Sequence, residues 1–355
     1  MVILLSFGAA FLASILLTPI VIRLAYMYKW TDDSRIRSHP ATRHTGVIPR
    51  AGGLALYGAI VVTSIFFIPI TKVTIGVFLG GFIVTLIGVL YDRYDLSPAL
   101  RLLSNLFAGG VAILFGLGVP YITQPLTGGI IHLDSYVLTI SFFGAHSFWI
   151  LANLFSLLWI SSMMNFVNWS SGVDGQLSGF VAVSSIFLGL LALRFSAYDL
   201  PSASIATLCF IVAGAFAGFG LWHFYPQKIM PGYGGSTLAG YFLAVLSILS
   251  YGKLGVLVMV LAIPLVDALY AIIRRISKGK SPLRGDDGHF HHRLLAIGWG
   301  RRRITVFYGV ISLLYGISAL YMQGWEKVYA IIVATVLMAL FILITNQIKE
   351  NRESQ

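Results

Sequence analysis

The stretch LGVLVMVLAIPLVDALYAII, residues 254–273, decides the fold. It carries one charge, Asp267, and is long enough as a helix to cross the hydrocarbon core of a bilayer. Directly after it the composition inverts. Residues 274–303 hold nine basic side chains and the sequence Asp286-Asp287-Gly288-His289-Phe290-His291-His292-Arg293. Three of the chain's eight histidines stand here within four residues, with a carboxylate pair just before them. An apolar run that ends in a basic loop is the pattern of a membrane helix reaching the cytoplasmic side.

Working outward, the same alternation repeats. Apolar runs cover roughly 3–26, 53–70, 73–91, 99–118, 146–166, 177–193, 203–224, 237–250, 254–273, 304–322 and 327–346. Of the 355 residues, 57% are hydrophobic and 10% charged, less than half the charge of an ordinary soluble domain. No segment between the runs is long enough for a large soluble domain. The expectation is an all-α, polytopic integral membrane protein of about 11 transmembrane helices. Residues 1–355 form one membrane-embedded domain, and 274–303 is its basic loop with the His cluster. The first run lacks a basic start and a small-residue cleavage pattern and is too long for a signal peptide, so it is read as a span. Cys209, the one cysteine, lies in an apolar run and excludes an intramolecular disulfide and a Cys-rich metal site.

Loop charges orient the chain. With the N-terminus outside, nineteen of the 24 Lys and Arg fall on the inner side and four on the outer, Arg23 lying near the inner end of the first run. This asymmetry accounts for the net charge of +11, and no nucleic-acid partner is expected. The acids Asp32, Asp33, Asp92, Asp95, Asp174, Asp286 and Asp287 also fall on the inner side or at inner helix ends. The long outer segment 119–145 has no Lys or Arg. Its Gly-Gly at 128–129, flanked by Ile, Leu, Val and Thr, predicts a small outer hairpin.

Each inner loop holds a candidate constellation. In the first, His44 and Arg50 precede Gly52-Gly53; a guanidinium beside bare amides suits a phosphate, and a basic juxtamembrane loop suits anionic headgroups equally. In the second, Ser97 and Pro98 cap the next helix, while Arg101 and Asn105 share a face. Asp92 stands at a membrane exit, where it needs a cation or metal. In the third, Asn165, Asn168 and Asp174 stand among glycines; they suit either a hard cation or a helix cap. In the fourth, Gly232-Tyr233-Gly234-Gly235-Ser236 opens a helix, where free amides favour anions. Asp267, inside a span, is either functional or paired with an inner Arg. His289, His291 and His292 fit no common zinc spacing; with Arg293 they suit a pyrophosphate.

Taken together, these loops resemble the polyprenyl-phosphate N-acetylhexosamine-1-phosphate transferases, sisters of the phospho-N-acetylmuramoyl-pentapeptide transferases. The resemblance runs from about residue 30 to 300 through His44–Gly53, Asp92–Pro98, Asn165–Gly179, Gly232–Ser236, Asp267 and Gly288–Leu294. The Gly-His-Phe-His-His-Arg-Leu form is similar to the hexosamine branch. Three positions depart from the family pattern: Tyr91, Ser171 and Tyr233 stand where carboxylates are usual.

The resemblance implies transfer of a sugar 1-phosphate from a UDP-sugar to polyprenyl phosphate, with release of UMP, at a bacterial cytoplasmic membrane, to start a cell-envelope polysaccharide. Mg²⁺, or Mn²⁺ in its place, would be held by Asp174 with Asn168. His289, His291, His292 and Arg293 would hold the diphosphate. Asp92 would orient or deprotonate the lipid phosphate, although a monoester with a second pKa of about 6 needs little base catalysis. His44, Arg50, Arg101, Asn105, Asn165 and Ser236 would bind substrate, and Asp267 would join Asp92 and Asp174 as a catalytic acid. The partners are thus the UDP-sugar, the polyprenyl phosphate and the bilayer, with room for a homodimer. Two other classes compete: an inactive relative acting as a scaffold in glycan assembly, suggested by the three departures, and a transporter, whose inverted repeats the sequence lacks.

Overall fold

A computed structural model describes residues 1–35, 46–94, 96–124, 127, 129–141, 145–194, 200–250, 254–281, 288–322 and 324–353. The helices are α1 (Val2–Met27), α2 (Gly52–Phe67), α3 (Lys72–Tyr94), α4 (Pro98–Leu114), α5 (Ile150–Trp169), α6 (Gln176–Leu193), α7 (Leu200–His223), α8 (Gly232–Leu249), α9 (Leu254–Val260), α10 (Ala262–Ser277), α11 (Phe290–Ala296), α12 (Arg301–Tyr321) and α13 (Trp325–Glu353). Three antiparallel strand pairs complete the described residues: β1 (Thr31–Asp33) with β2 (Val47–Pro49), β3 (Tyr121–Thr123) with β4 (Ile130–His132), and β5 (Val137–Ser141) with β6 (Ala145–Trp149).

Ten of the eleven expected apolar runs each hold one helix, although residues 146–149 of the fifth belong to β6, and the architecture is that of a polytopic all-α membrane protein. Among the described residues eight helices are long and apolar enough to cross a membrane, while α2 and α4 are shorter apolar helices. The exception is the run 254–273. In place of one straight span it forms α9 and α10, bent by 83°. Pro264, in the first turn of α10, explains the break. It has no N–H to donate to the Val260 carbonyl, and its ring would clash there if the helix continued. Beyond the break α10 is two-faced. Asp267, Ala271 and Arg275, four apart, are buried, whereas Leu269, Ile273 and Ile276 are exposed.

Helix α8 is the axis of the bundle. All residues from Tyr233 to Ile248 are buried, with α2, α3, α5, α6, α7 and α9 around them. A helix apolar on every side belongs at the centre of a bundle or in lipid, and α8 takes the centre. The outer helices expose large apolar side chains such as Leu16, Phe66, Phe82, Phe107, Leu158 and Leu340, as a lipid-facing surface requires. Small residues let the backbones close on α8. Gly88 of α3 abuts the Gly234 backbone, and Gly240 abuts the backbone of Met163 and Met164 in α5.

Antiparallel connections bring the inner loops to one end of the bundle. The first loop adds the β1–β2 pair, in register Asp32↔Ile48, which periodicity did not predict. At the opposite end, between α4 and α5, stand two hairpins rather than the single one expected. The Gly-Gly at 128–129 lies between β3 and β4, and β5–β6 follow.

A Cβ on Gly240 would lie 2.6 Å from Met164 Cα and 2.8 Å from the Met163 carbonyl carbon. Overpacking of this kind costs about 1–3 kcal/mol. Gly240→Ala is therefore expected to lower the thermal midpoint of the detergent-purified protein by several degrees. An unchanged midpoint would show that α5 and α8 are not held at this spacing.

Candidate active site

The His cluster is built from its anchor outward. Phe290 is fully buried, its ring 5.2 Å from Phe341 of α13 and 6.3 Å from Phe307 and Tyr308 of α12. This apolar grip seats α11. Asp267, 1% exposed, then takes hold of its first residues: Oδ1 accepts from Phe290 N at 2.8 Å and Oδ2 faces His289 Nδ1 at 3.0 Å. On the other side of the ring, Arg275 Nη2 lies 3.2 Å from Nε2. A guanidinium only donates, so Nε2 accepts and the ring proton sits on Nδ1, given to Asp267. His289 is thus a neutral link between a buried acid and a buried Arg. Its two nitrogens are committed, which makes it a positioning residue rather than the diphosphate ligand expected.

The cationic groups around it are likewise fixed. Arg274 Nη1 and Arg293 Nε both donate to the Gly288 carbonyl, at 2.9 and 3.0 Å. Both guanidiniums also lie over the Tyr270 ring. Arg275 lies over Trp169. His291 stands 5.9 Å from His289 and 4.2 Å from His292, ring to ring. Gly172, in the α5–α6 turn, lies directly against His291; a Cβ there would overlap the imidazole. The third inner loop is therefore in contact with the His cluster.

From that loop the chain of contacts continues into α8. Asn168 Nδ2 donates to Ser236 Oγ, while Asn165 is turned back on its own helix, Nδ2 donating to the Ser161 carbonyl at 2.7 Å. The start of α8 meets the end of α3. Asp92, buried, accepts from Tyr233 N at 3.0 Å and lies 3.1 Å from Arg50 Nη2. Asp92 thus caps the α8 N-terminus as a protein anion. Arg50 also reaches Asp32 at 3.7 Å. The amides of Gly52 and Gly53, expected to be bare, donate instead to the carbonyls of Met230 and Pro231, each at 3.1 Å. They close the fourth loop over the first.

Two of the three departures from the family pattern are neighbours. The rings of Tyr91 and Tyr233 are 4.5 Å apart, and the Arg101 guanidinium lies 5.0 and 5.7 Å from their centroids. The Tyr233 hydroxyl donates to Asn105 Oδ1 at 3.3 Å. Arg101 and Asn105 share a face of α4 as the sequence predicts, and Ser97 caps that helix by accepting from Leu100 N.

Asp174 does not meet the expectation of a metal ligand. Arg301 Nη1 lies 3.2 and 3.3 Å from its two oxygens, and Gln227 N donates to Oδ2 at 3.3 Å. Its backbone carbonyl accepts from Thr305 at 2.6 Å. Magnesium demands about six oxygen ligands at roughly 2.0–2.1 Å. A guanidinium occupies the cation's place beside Asp174, and Asn168 is spent on Ser236. Among the described residues no three His, Cys, Asp or Glu side chains converge. The donor set of the described residues does not fit a divalent ion.

Of the residues singled out from sequence, Asp92, Arg50, Arg101, Asn105, Asn168, Ser236, Asp267, His289, His291, His292 and Arg293 join one contact network, and Asp174 flanks it. Asn165 turns away. His44, Asp95, Asp286 and Asp287 lie outside the described residues. Sequence reasoning missed Arg275, Arg301 and the pairing of Tyr91 with Tyr233. Arg301 had a signal: Arg301, Arg302 and Arg303 open α12, where the helix dipole disfavours cations. They are held there by Asp174, by the Tyr225 ring and by the Trp299 ring.

Asp267→Asn would set an amide NH₂ against His289 Nδ1–H or turn a donor toward Phe290 N, at a cost of about 1–3 kcal/mol. Hydrogen exchange across residues 288–296 is expected to rise; protection equal to the native protein's would refute the link. Arg301→Met leaves a buried Asp174 without its counter-charge and should destabilise by about 3 kcal/mol. Removing Asp174 as well, as Leu, should recover most of that loss in a double-mutant cycle.

A family model described as glycosyl transferase family 4 matches residues 74–251, half of the chain. The chain is similar to the probable undecaprenyl-phosphate N-acetylglucosaminyl 1-phosphate transferase of Bacillus subtilis (strain 168), at 28% identity over 97% of this chain and 92% of that protein. It is also 28% identical to the decaprenyl-phosphate N-acetylglucosaminephosphotransferase of Mycobacterium tuberculosis (strain H37Rv), over 78% of this chain and 72% of that one. The phospho-N-acetylmuramoyl-pentapeptide-transferase of Geobacillus sp. (strain WCH70) matches at 28% over 89% and 96%. The matched window holds Asp92, Arg101, Asn105, Asn168, Asp174 and the start of α8, the inner half of the network just described. The chain is a member of glycosyl transferase family 4.

Proposed function

We propose that this protein transfers a hexosamine 1-phosphate, N-acetylglucosamine 1-phosphate first among candidates, from a UDP-sugar to polyprenyl phosphate and releases UMP. In the cell this step would commit the lipid carrier to a cell-envelope polysaccharide. The single observation that carries the reading is the network itself. Guanidiniums and imidazoles gather at one end of an apolar bundle, where a lipid's charged head and a soluble nucleotide can meet. The names of the relatives supply the acceptor class. The loop charges favour the inner, cytoplasmic side for the site and an outer N-terminus.

The chemistry follows from charge. An oxygen of the lipid phosphate attacks the phosphorus that bears the sugar. The new O–P bond forms as the bond to the bridging diphosphate oxygen breaks, and that oxygen leaves with the electron pair as UMP. Two anions must approach, so fixed donors matter most. In this reading His291, His292 and Arg293 hold the diphosphate, while Arg101 and Asn105 receive the lipid phosphate. Asp92 keeps Arg50 and the α8 N-terminus in place. Its Oδ1 is shared by Arg50 and Tyr233 N, and a phosphate monoester, largely dianionic at neutral pH, does not need a base.

A second reading is favoured by one observation: Asp92, Asp174 and Asp267 all have protein donors as partners. Such a protein would bind the nucleotide without turnover. One experiment separates the two. The purified protein is given undecaprenyl phosphate and UDP-N-acetylglucosamine, and UMP is measured. Lipid-dependent UMP release is expected, and His291→Ala with His292→Ala should lower it by about 100-fold or more. Nucleotide binding without UMP from any UDP-sugar in a panel would establish the inactive relative instead.

A further inference from the structure

We infer that the described residues of this site are built without a divalent-cation position, and that guanidinium groups supply the positive charge its phosphate-bearing substrates require. The inference rests on the proposed function for the nature of those substrates, but its structural half stands apart from turnover.

The first support is the state of the acids. A carboxylate binds a metal through lone pairs directed at the ion. At Asp174 the Arg301 guanidinium sits 3.2–3.3 Å from both oxygens. At Asp92 the Arg50 guanidinium and Tyr233 N share Oδ1. At Asp267 both oxygens hold the start of α11. A doubly charged ion placed at the first two would sit against a fixed guanidinium. Repulsion between charges so close is strong in a partly buried setting.

The second support is the pocket of Tyr91, Tyr233, Arg101 and Asn105. Two aromatic rings here face a guanidinium, an arrangement that stabilises a cation already belonging to the protein. Asn105 is 2% exposed, and its Nδ2 has no hydrogen-bond partner. A buried amide N–H left unpaired costs roughly 1–3 kcal/mol, so it points to a missing acceptor. A metal ion offers no acceptor; a phosphate oxygen does. The open valence beside Arg101 is therefore for an anion.

Guanidinium can do the cation's electrostatic work. Its planar fork meets two phosphate oxygens at once, and it stays charged at any pH the cell reaches. What it does not do is draw in several oxygens as an ion's coordination shell would, so positioning falls to the surrounding contacts. Those contacts are dense here: Arg50 is held by Asp92 and Asp32, Arg301 by Asp174 and Tyr225, and Arg101 by two rings.

The test uses the full chain in detergent and has two readouts. Uptake of Mn²⁺ is followed by loss of the free-ion electron paramagnetic resonance signal, with and without UDP-N-acetylglucosamine and against a nucleotide-only control. UMP release is followed in EDTA and in excess Mg²⁺. The expected result is no stoichiometric Mn²⁺ uptake by the protein and UMP release in EDTA within about twofold of that in Mg²⁺. Uptake of one equivalent of Mn²⁺ overturns the inference whatever the activity. A fall in UMP release of 100-fold or more in EDTA, restored by Mg²⁺, also overturns it while leaving the transferase reading intact. If neither Mn²⁺ uptake nor UMP is seen in any condition, the transferase reading fails and the cation-free site stands.

Discussion

A carboxylate placed at the end of an apolar helix must find positive charge nearby, and this protein is arranged around how it does so. Asp92 meets two needs at once. It gives the α8 N-terminus an anion to rest on, and it gives Arg50 a partner close to the bilayer. Because α8 is the axis of the bundle, the capping contact also fixes where the ends of α2 and α3 lie. The first and fourth loops then close on each other through the Gly52 and Gly53 amides.

The same logic appears at Asp267 and Asp174, with different partners. Asp267 has a helix start and a neutral imidazole; Asp174 has a guanidinium and a backbone amide. In each case the acid comes from one element and its donor from another distant in sequence. The charged groups therefore do structural duty in a protein whose apolar surfaces face lipid and discriminate poorly between neighbours. In the proposed function, binding chemistry is layered on this frame. Arg101 and Asn105 adjoin Tyr233, and His291 adjoins His289 and His292; Gly172 lets His291 close on the third loop, and Gly234 lets α8 close on α3.

Much of this was legible in the sequence. The apolar runs gave the helices almost one for one, since length and composition suffice for a membrane span. Ser97-Pro98 and the Arg101/Asn105 spacing were read correctly because they depend on one helix alone. The bend before Pro264 could have been read from the missing N–H, but a run of twenty apolar residues argued for one straight span. What could not be read were pairings across the fold. His289 looks like a ligand in its triplet, and only the positions of Asp267 and Arg275 on another helix show that its nitrogens are taken. Asp174, set among Asn and Gly, has the local chemistry of a metal ligand until α12 brings Arg301 to it. Tyr91 and Tyr233 read as two separate losses of charge; their contact, across 142 residues of sequence, makes them one change.

The cage around Phe290 has a consequence for assembly. The side chains that seat the His cluster come from α12 and α13, the last helices of the chain, with Phe341 contributing the shortest ring contact. Helices inserted in order during synthesis would pair α2, α3, α5 and α8 long before residue 341 emerges. The half of the site around Asp92 can thus form early, while the half that carries the imidazoles has no floor to settle on. In this order of insertion α13 is the late partner that closes on a network whose first residues were laid down some 300 positions before.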